Sequence, residues 1–381
     1  MKIVYVFDSL ASRGGAERIV INKMDYLATY FDYDITVITC YQSQSQPNAY
    51  PLSDKVKQLY LNIPFYSQYK YHYPYRLWVK TAINRRLKKD LKEAITDLDP
   101  DILIGMGYFI ADIVSKIKCR AKKIIEAHEP RPFTLSDYGL NRSLLSKIYM
   151  KHKRRMYFSA VEKNADVVVT LTQGDAIEWK KAKRTEVIPN FTAMPIHKLS
   201  EGTAKRIISV GRLEWVKGYD RLIKAWAIVE RNHSDWKLDI YGSGTLENEL
   251  KKMIDDLNIQ NLVIHPFTSN ITQEYANSSI FVLTSHFEGY SLVLLEAMKT
   301  GVPCIAFDIP FGPRDVIDDQ KTGYLVEDNN IELMANKISF LIDNPTIRKN
   351  FAEASLVKSR QYDVKVIMDC WKKLFERLLA N

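Results

Sequence analysis

Only four cysteines occur in the 381 residues: Cys40, Cys119, Cys304 and Cys370. No two share the spacing of a metal-binding pair. Cys40 and Cys304 fall inside apolar, strand-like runs, so they read as buried free thiols in a reducing compartment rather than as disulfides. No stretch approaches the ~20 apolar residues that cross a bilayer. The opening apolar run, Met1 to Phe7, is too short for a signal-peptide core and is broken by Asp8; it reads as a first strand. Internal repeats and low-complexity tracts are also missing, which sets aside solenoid and disordered classes.

What is present is an ordinary folded composition, 46% hydrophobic and 26% charged, in a chain long enough for two domains. The net charge of +9 is unevenly placed. Residues 1–190 carry 31 Lys and Arg against 20 Asp and Glu, and the remainder 23 against 25. A basic front half suits nucleic acid, an anionic membrane or phosphorylated substrates, and charge alone does not choose among them.

Short runs rich in Val and Ile alternate with helical patterns. In the front half the strands read at 3–7, 35–39, 56–61, 102–106, 123–126 and 166–171, with helices at 16–30, 77–98 and 142–163. After a break around 192–203 the pattern restarts, with strands at 206–210, 238–241, 262–265, 280–284 and 302–307. Helices follow at 220–230, 245–257, 291–300 and 331–341. This alternation predicts two successive doubly wound α/β domains, each with a parallel sheet covered on both faces. The boundaries are placed at 1–195 and 196–360, with a last helix in 361–381 returning to the first domain.

Open parallel sheets bind ligands outside the carboxyl ends of their strands, and four segments fall there. Ser12-Arg13-Gly14-Gly15-Ala16-Glu17 follows the first strand; its glycines suit either a phosphate at a helix start or a plain tight turn. Gly211-Arg212 and Lys217-Gly218 put two cations five residues apart, either on one diphosphate or in solvent. Tyr241-Gly242-Ser243-Gly244 is a generic strand-to-helix turn. The third glycine of a dinucleotide fingerprint would fall at Glu247, so an oxidoreductase reading loses its main support. The fourth segment runs from Ser285 to Met298. Glu288 lies before its helix and Glu296 inside it, on a helix apolar almost all round. A carboxylate there needs partners, whether a structural ion pair or the hydroxyls of a ligand.

Together these segments resemble the retaining GT-B glycosyltransferases, in particular the large family of bacterial mannosyl-, glucosyl- and galactosyltransferases of envelope polysaccharides. The marks are Gly-Gly-Ala-Glu after the first strand, Gly211-Arg212 with Lys217-Gly218, the Glu288 and Glu296 pair, Gly301-Val302-Pro303 and Gly323-Tyr324-Leu325-Val326. The resemblance implies two Rossmann-like domains facing a cleft, the first on the acceptor side and the second holding the donor. It implies that Arg212 and Lys217 hold the donor diphosphate, Glu296 the ribose and Glu288 the transferred sugar. Backbone amides of Gly289, Tyr290, Ser291 and Leu292 would face the pyrophosphate. Gly14 and Gly15 would lie near phosphate or acceptor, Gly242 beside the donor, and Pro266 at the base. The family's cleft histidine maps onto His128, in Ile125-Glu126-Ala127-His128-Glu129. Gly312-Pro313-Arg314 resembles transferases that use UDP-linked sugars and favours UDP over GDP.

The reaction so implied moves a hexose from a nucleotide diphosphate sugar to a saccharide acceptor, lipid-linked in capsule, O-antigen or exopolysaccharide synthesis. It retains configuration and needs no metal or other cofactor. Asp99-Pro100-Asp101 spells the D-x-D of metal-dependent transferases, but it precedes a strand and so lies at the wrong end of the sheet. Lys70, His72, Arg76, Lys80, Arg85 and Arg86 interleave with Tyr71, Tyr73, Tyr75 and Trp78. Such a face suits an anionic membrane or a lipid-linked diphosphate, or is simply solvated. No nucleic-acid-binding signature accompanies it. The expected location is the cytoplasm, peripheral to the inner face of the plasma membrane. The competing readings are a non-catalytic nucleotide-sugar-binding partner of an assembly complex and a GT-B epimerase.

Overall fold

A computed structural model describes residues 1–12, 14–134 and 144–380. The chain divides into two compact units, residues 1–188 with 368–381, and residues 189–367. Each is a parallel sheet flanked by helices.

In the first unit the order along the chain is β1 (Lys2–Phe7), α1 (Gly15–Tyr30), β2 (Asp34–Thr39), β3 (Val56–Tyr60), α2 (Tyr75–Leu98), β4 (Ile102–Met106) and α3 (Tyr108–Lys116). There follow β5 (Lys122–Ala127), α4 (Leu144–Asn164), β6 (Val167–Thr170), α5 (Gln173–Glu178) and β7 (Thr185–Val187). The seven strands are ordered β3-β2-β1-β4-β5-β6-β7. Every pairing is parallel. Residues Ile3 to Val6 and Ile102 to Ile104 are fully buried, as strands covered on both faces require.

The second unit runs β8 (Arg206–Val210), α6 (Tyr219–Val229), β9 (Lys237–Tyr241), α7 (Glu247–Asp256), β10 (Leu262–His265), α8 (Ile271–Ala276), β11 (Ile280–Leu283) and α9 (Leu292–Lys299). It ends with β12 (Cys304–Asp308), α10 (Pro313–Val316), β13 (Gly323–Glu327), α11 (Ile331–Asp343) and α12 (Pro345–Ser359). Its six parallel strands are ordered β10-β9-β8-β11-β12-β13. Trp226 of α6 is fully buried in a core with Ile207, Leu238 and Ile305.

The two expected sheets are present, and two boundaries move. The first division falls at 188/189 rather than 195/196, because the connecting segment packs on the second unit. Phe191 is buried, Ser200 N donates to Thr300 O at 2.9 Å, and Ser200 Oγ donates to Ser278 O at 2.5 Å. At the other end, residues 361–367 stay with the second unit: Tyr362 OH donates to Asp315 O at 3.2 Å and Asp363 pairs with Lys299 at 2.8 Å. The helix expected from residue 142 is described from Leu144, since 142 and 143 lie outside the described residues, as does Arg13.

The last helix, α13 (Val364–Leu379), buries Met368, Trp371, Phe375 and Leu378, a three-to-four-residue spacing that forms one apolar stripe. From residue 368 it groups with the first unit, where Phe375 lies 6.5 Å from the Tyr33 ring. Phe375→Ala removes a fully buried ring and is expected to cost about 3–5 kcal/mol in urea unfolding followed by circular dichroism. A loss below about 1 kcal/mol would contradict this docking of α13.

Candidate functional site

The strand order of the second unit reverses between β8 and β11. Their connections leave in opposite directions, so a crevice opens at the two carboxyl ends. Into it feed residues 211–218 from β8 and 284–291 from β11, the two segments richest in candidate residues.

The two segments are stitched together. His286 N donates to Val216 O at 2.8 Å, and Thr284 Oγ1 donates to Gly218 O at 2.9 Å. Trp215 and His286 stack with centroids 4.3 Å apart. Burial first, and the Arg221 charge next, hold the His286 imidazole below its usual range. Arg221 of α6, only 3% exposed, donates to Thr284 O, pairs with Asp328 at 2.8 Å and lies over the Phe307 ring.

Lys217 Nζ reaches Glu288 Oε1 at 2.7 Å, and Ser285 Oγ donates to the same oxygen at 2.6 Å. The cation assigned to a diphosphate and the carboxylate assigned to a sugar are therefore direct partners. Arg212 is exposed just beyond β8. Gly289 and Tyr290 lead into Ser291, which takes φ +54° at the start of α9 and gives that helix no side-chain cap. A left-handed non-glycine residue costs roughly 1–2 kcal/mol. Ser291 Oγ is buried and has no hydrogen-bond partner among the described residues. Unsatisfied N–H groups at a helix start and a buried hydroxyl together make an anion-binding end. One turn further, Glu296 is 2% exposed and accepts from Tyr275 OH at 3.2 Å.

Two glycines owe their identity to close approach. A Cβ on Gly312, which has φ +91°, would lie 2.9 Å from Glu288 Cβ and 3.4 Å from Ser291 Oγ. A Cβ on Gly242 would overlap the Gly211 carbonyl oxygen, which gives Gly242 a packing reason that needs no ligand. Gly242 N donates to His265 O at 3.0 Å, and Pro266 follows, exposed beyond edge strand β10.

In the first unit, Gly14 and Gly15 open α1, but the Glu17 carboxylate folds back over Gly14 where a Cβ would stand. A carboxylate of the protein thus already lies at that helix start. His128 follows β5, and its Nε2 lies 3.2 Å from Glu126 Oε2. Glu126 also pairs with Lys23, and both are buried. Asp99 and Asp101 sit before β4, where Arg120 donates to Asp99 at 2.5 Å and Lys2 N donates to Asp101 at 2.8 Å. Their carboxylates hold the amino end of the sheet together, as a turn.

Arg221, Tyr275 and Lys23 escape the motif reading, and Ser285 and Glu126 fall inside quoted segments without a role assigned to them. Lys23 and Arg221 did leave a signal: each is a cation on the apolar stripe of its helix, beside Ile19 and Met24 or Leu222 and Ala225.

The family model of glycosyl transferases group 1 matches residues 192–356. An uncharacterized glycosyltransferase of Haemophilus influenzae is 30% identical over 377 residues, covering 97% of this chain and 99% of that protein. The amylovoran biosynthesis glycosyltransferase AmsD of Erwinia amylovora is 25% identical, covering 98% and 99%. HepE of Anabaena, solved with UDP and glucose, matches with a TM-score of 0.74 at 18% identity, covering 99% and 100%; that likeness is one of fold.

The loop that carries His128 supplies a pH test. Arg131 N donates to Asp175 Oδ1 at 2.6 Å, and Trp179 Nε1 donates to its other oxygen at 3.4 Å. Burial pushes the Asp175 carboxyl up to about 6. Because the folded value lies above the unfolded one, this group's contribution is full below pH ~4 and is lost as pH rises through about 6, a change on the order of 2–3 kcal/mol. Asp175→Asn removes that slope, so the variant gains on the parent between pH 4.5 and 7 in urea unfolding. A stability difference that does not move with pH would refute it.

Proposed function

Since the chain belongs to the glycosyl transferases group 1 family, and is therefore a glycosyltransferase of GT-B fold, we propose that it moves a hexose from a UDP-sugar to a saccharide acceptor in envelope polysaccharide synthesis. The observation that carries this reading is the Lys217–Glu288 pair beside the uncapped start of α9, where Ser291 Oγ is buried without a partner. The name of the Erwinia relative supports the polysaccharide class, and the UDP in the similar fold supports the nucleotide.

A diphosphate at the start of α9 would take the amides of residues 289–292 and the Ser291 hydroxyl. Arg212 and Lys217 would neutralise it, releasing Lys217 in part from Glu288. Glu288 would then accept from hydroxyls of the sugar, while Glu296, steadied by Tyr275, accepts from those of the ribose. As the bond from the anomeric carbon to the diphosphate breaks, negative charge grows on the leaving oxygen, where both cations and the helix end are aimed. The acceptor oxygen bonds to the same face of the sugar, and its proton passes to the departing phosphate. Configuration is retained without a covalent intermediate, and the charge is met by side chains rather than by a metal or other cofactor. His128 serves the acceptor side.

The first unit suggests where the acceptor is met. No Asp or Glu lies between Asp54 and Asp90. This stretch exposes Tyr69, Tyr73, Tyr75 and Trp78 beside Arg76 and Lys80, with the Arg76 guanidinium 4.3 Å over the Tyr69 ring. Among the described residues no helix is long and apolar enough to cross a membrane. A basic, aromatic face suits the surface of an anionic membrane and supports a lipid-linked acceptor met on the cytoplasmic side.

Two measurements test this reading. UDP at ~100 times its dissociation constant should add roughly 2.7 kcal/mol, seen as a melting shift that survives EDTA and vanishes in Glu296→Ala. A shift with NAD alone, or with no nucleotide, would sink it. In sedimentation with vesicles, phosphatidylglycerol should carry the protein down and phosphatidylcholine should not, and the paired change Tyr73→Ser with Trp78→Ser should weaken this several-fold. Equal sedimentation with both lipids would remove the membrane from the proposal.

A further inference from the structure

Inside the first unit an ion pair is sealed from water. Lys23, 1% exposed on α1, pairs through Nζ with Oε1 of Glu126, 4% exposed on β5. Trp371 of α13 covers the ammonium, its ring centroid 4.0 Å from Nζ, and the Tyr5 ring lies 5.2 Å away on another side. Taking both charges out of water costs several kcal/mol, and a buried pair is seldom better for stability than apolar residues of the same volume. The second oxygen of Glu126 shows a use for the pair: Oε2 faces Nε2 of His128 at 3.2 Å.

The chemistry then constrains the imidazole. Although burial acts against it, Lys23 and then His128 hold the Glu126 carboxyl below the usual range, so it is ionised and only accepts hydrogen bonds. The proton between Glu126 and His128 must therefore sit on Nε2. Nδ1 makes no hydrogen bond among the described residues. Tyr5, Lys23, Glu126 and His128 are the titratable groups that face one another here, from β1, α1 and β5. Trp371 is the contribution of α13 to the cluster.

We propose that Lys23 and Glu126 are positioning residues: the buried pair fixes His128 in the tautomer that carries its proton on Nε2 and presents Nδ1 to the acceptor substrate, with Trp371 keeping water from the pair. This rests on the reading that His128 serves the acceptor side. Lys23 has a definite part in it. By pairing with Oε1 it holds the Glu126 carboxylate in place, with Oε2 turned to Nε2 of His128.

The test uses the whole protein labelled with 15N-histidine, the His128 signals being identified by their loss in His128→Gln. In the parent, long-range 15N–1H spectra should show the Nε2–H tautomer. In Lys23→Met the Glu126 carboxylate loses its cation and His128 takes its place, so its titration should move upward by about one pH unit or more. Lys23→Arg should restore it. In Glu126→Gln, which keeps the shape and carries the test if Lys23→Met does not fold, the tautomer preference should be lost. Unchanged tautomer and titration in folded variants would overturn the inference. Turnover of a UDP-sugar by His128→Ala tests the underlying reading separately. Coupling seen with full turnover removes His128 from catalysis, whereas loss of turnover without coupling removes only the role of Lys23 and Glu126.

Discussion

A parallel sheet whose strand order reverses cannot cover both of its central carboxyl ends, and the second unit is organised around that gap. The connections from β8 and β11 part company at the reversal, so nothing in the sheet itself holds their loops in register. Side chains do that work instead. Arg221 ties one loop to the other through Thr284 O, Thr284 answers through Gly218 O, and Trp215 lies flat on His286. Lys217 and Glu288 can meet only because this frame holds both. The fold sets the location of the crevice, and a few polar contacts set its shape.

The same frame holds several unfavourable features. Ser291 sits in left-handed backbone with its hydroxyl buried and unpaired. Glu296 lies on a helix whose neighbouring side chains, Leu294, Leu295, Ala297 and Met298, are all buried and apolar. In the first unit, Lys23 and Glu126 form an ion pair out of water. Such features persist when surrounding structure over-determines them, and they gather where chemistry is done. Their grouping at carboxyl ends of strands, rather than through the core, is what separates a site from mere imperfection.

The strands are legible in the sequence because buried parallel strands read as unbroken apolar runs, and the expected Ile102 to Met106 and Leu262 to His265 match β4 and β10 to the residue. The sequence hides α3, since Tyr108 to Val114 is as apolar as a strand and only Gly107, at φ +73°, marks the turn. It hides the three-residue β7, and the β13 run carries a motif without a strand expectation. Motifs named Arg212, Lys217, Glu288 and Glu296, because spacing on a loop or helix survives in one dimension. They did not show that Lys217 and Glu288 touch, nor that Tyr275, Ser285 and Arg221 hold the acidic residues and their loops. The Tyr275 and Arg221 contacts join elements far apart in the chain, and Ser285, though only three residues from Glu288, stands at a spacing that does not by itself announce a bond.

The first unit is made of two pieces of chain separated by the whole of the second. During synthesis the ribosome delivers residues 1–188 first, then everything in residues 189–367, and only afterwards the segment from 368 onward. The later-made unit can complete its core while the earlier one still lacks Met368, Trp371 and Phe375. Until then the apolar seat of α13 is open and the Lys23–Glu126 pair has water where Trp371 will lie. Order of birth and order of completion are thus reversed, and the nascent chain holds an unfinished first unit until the segment from residue 368 onward has emerged.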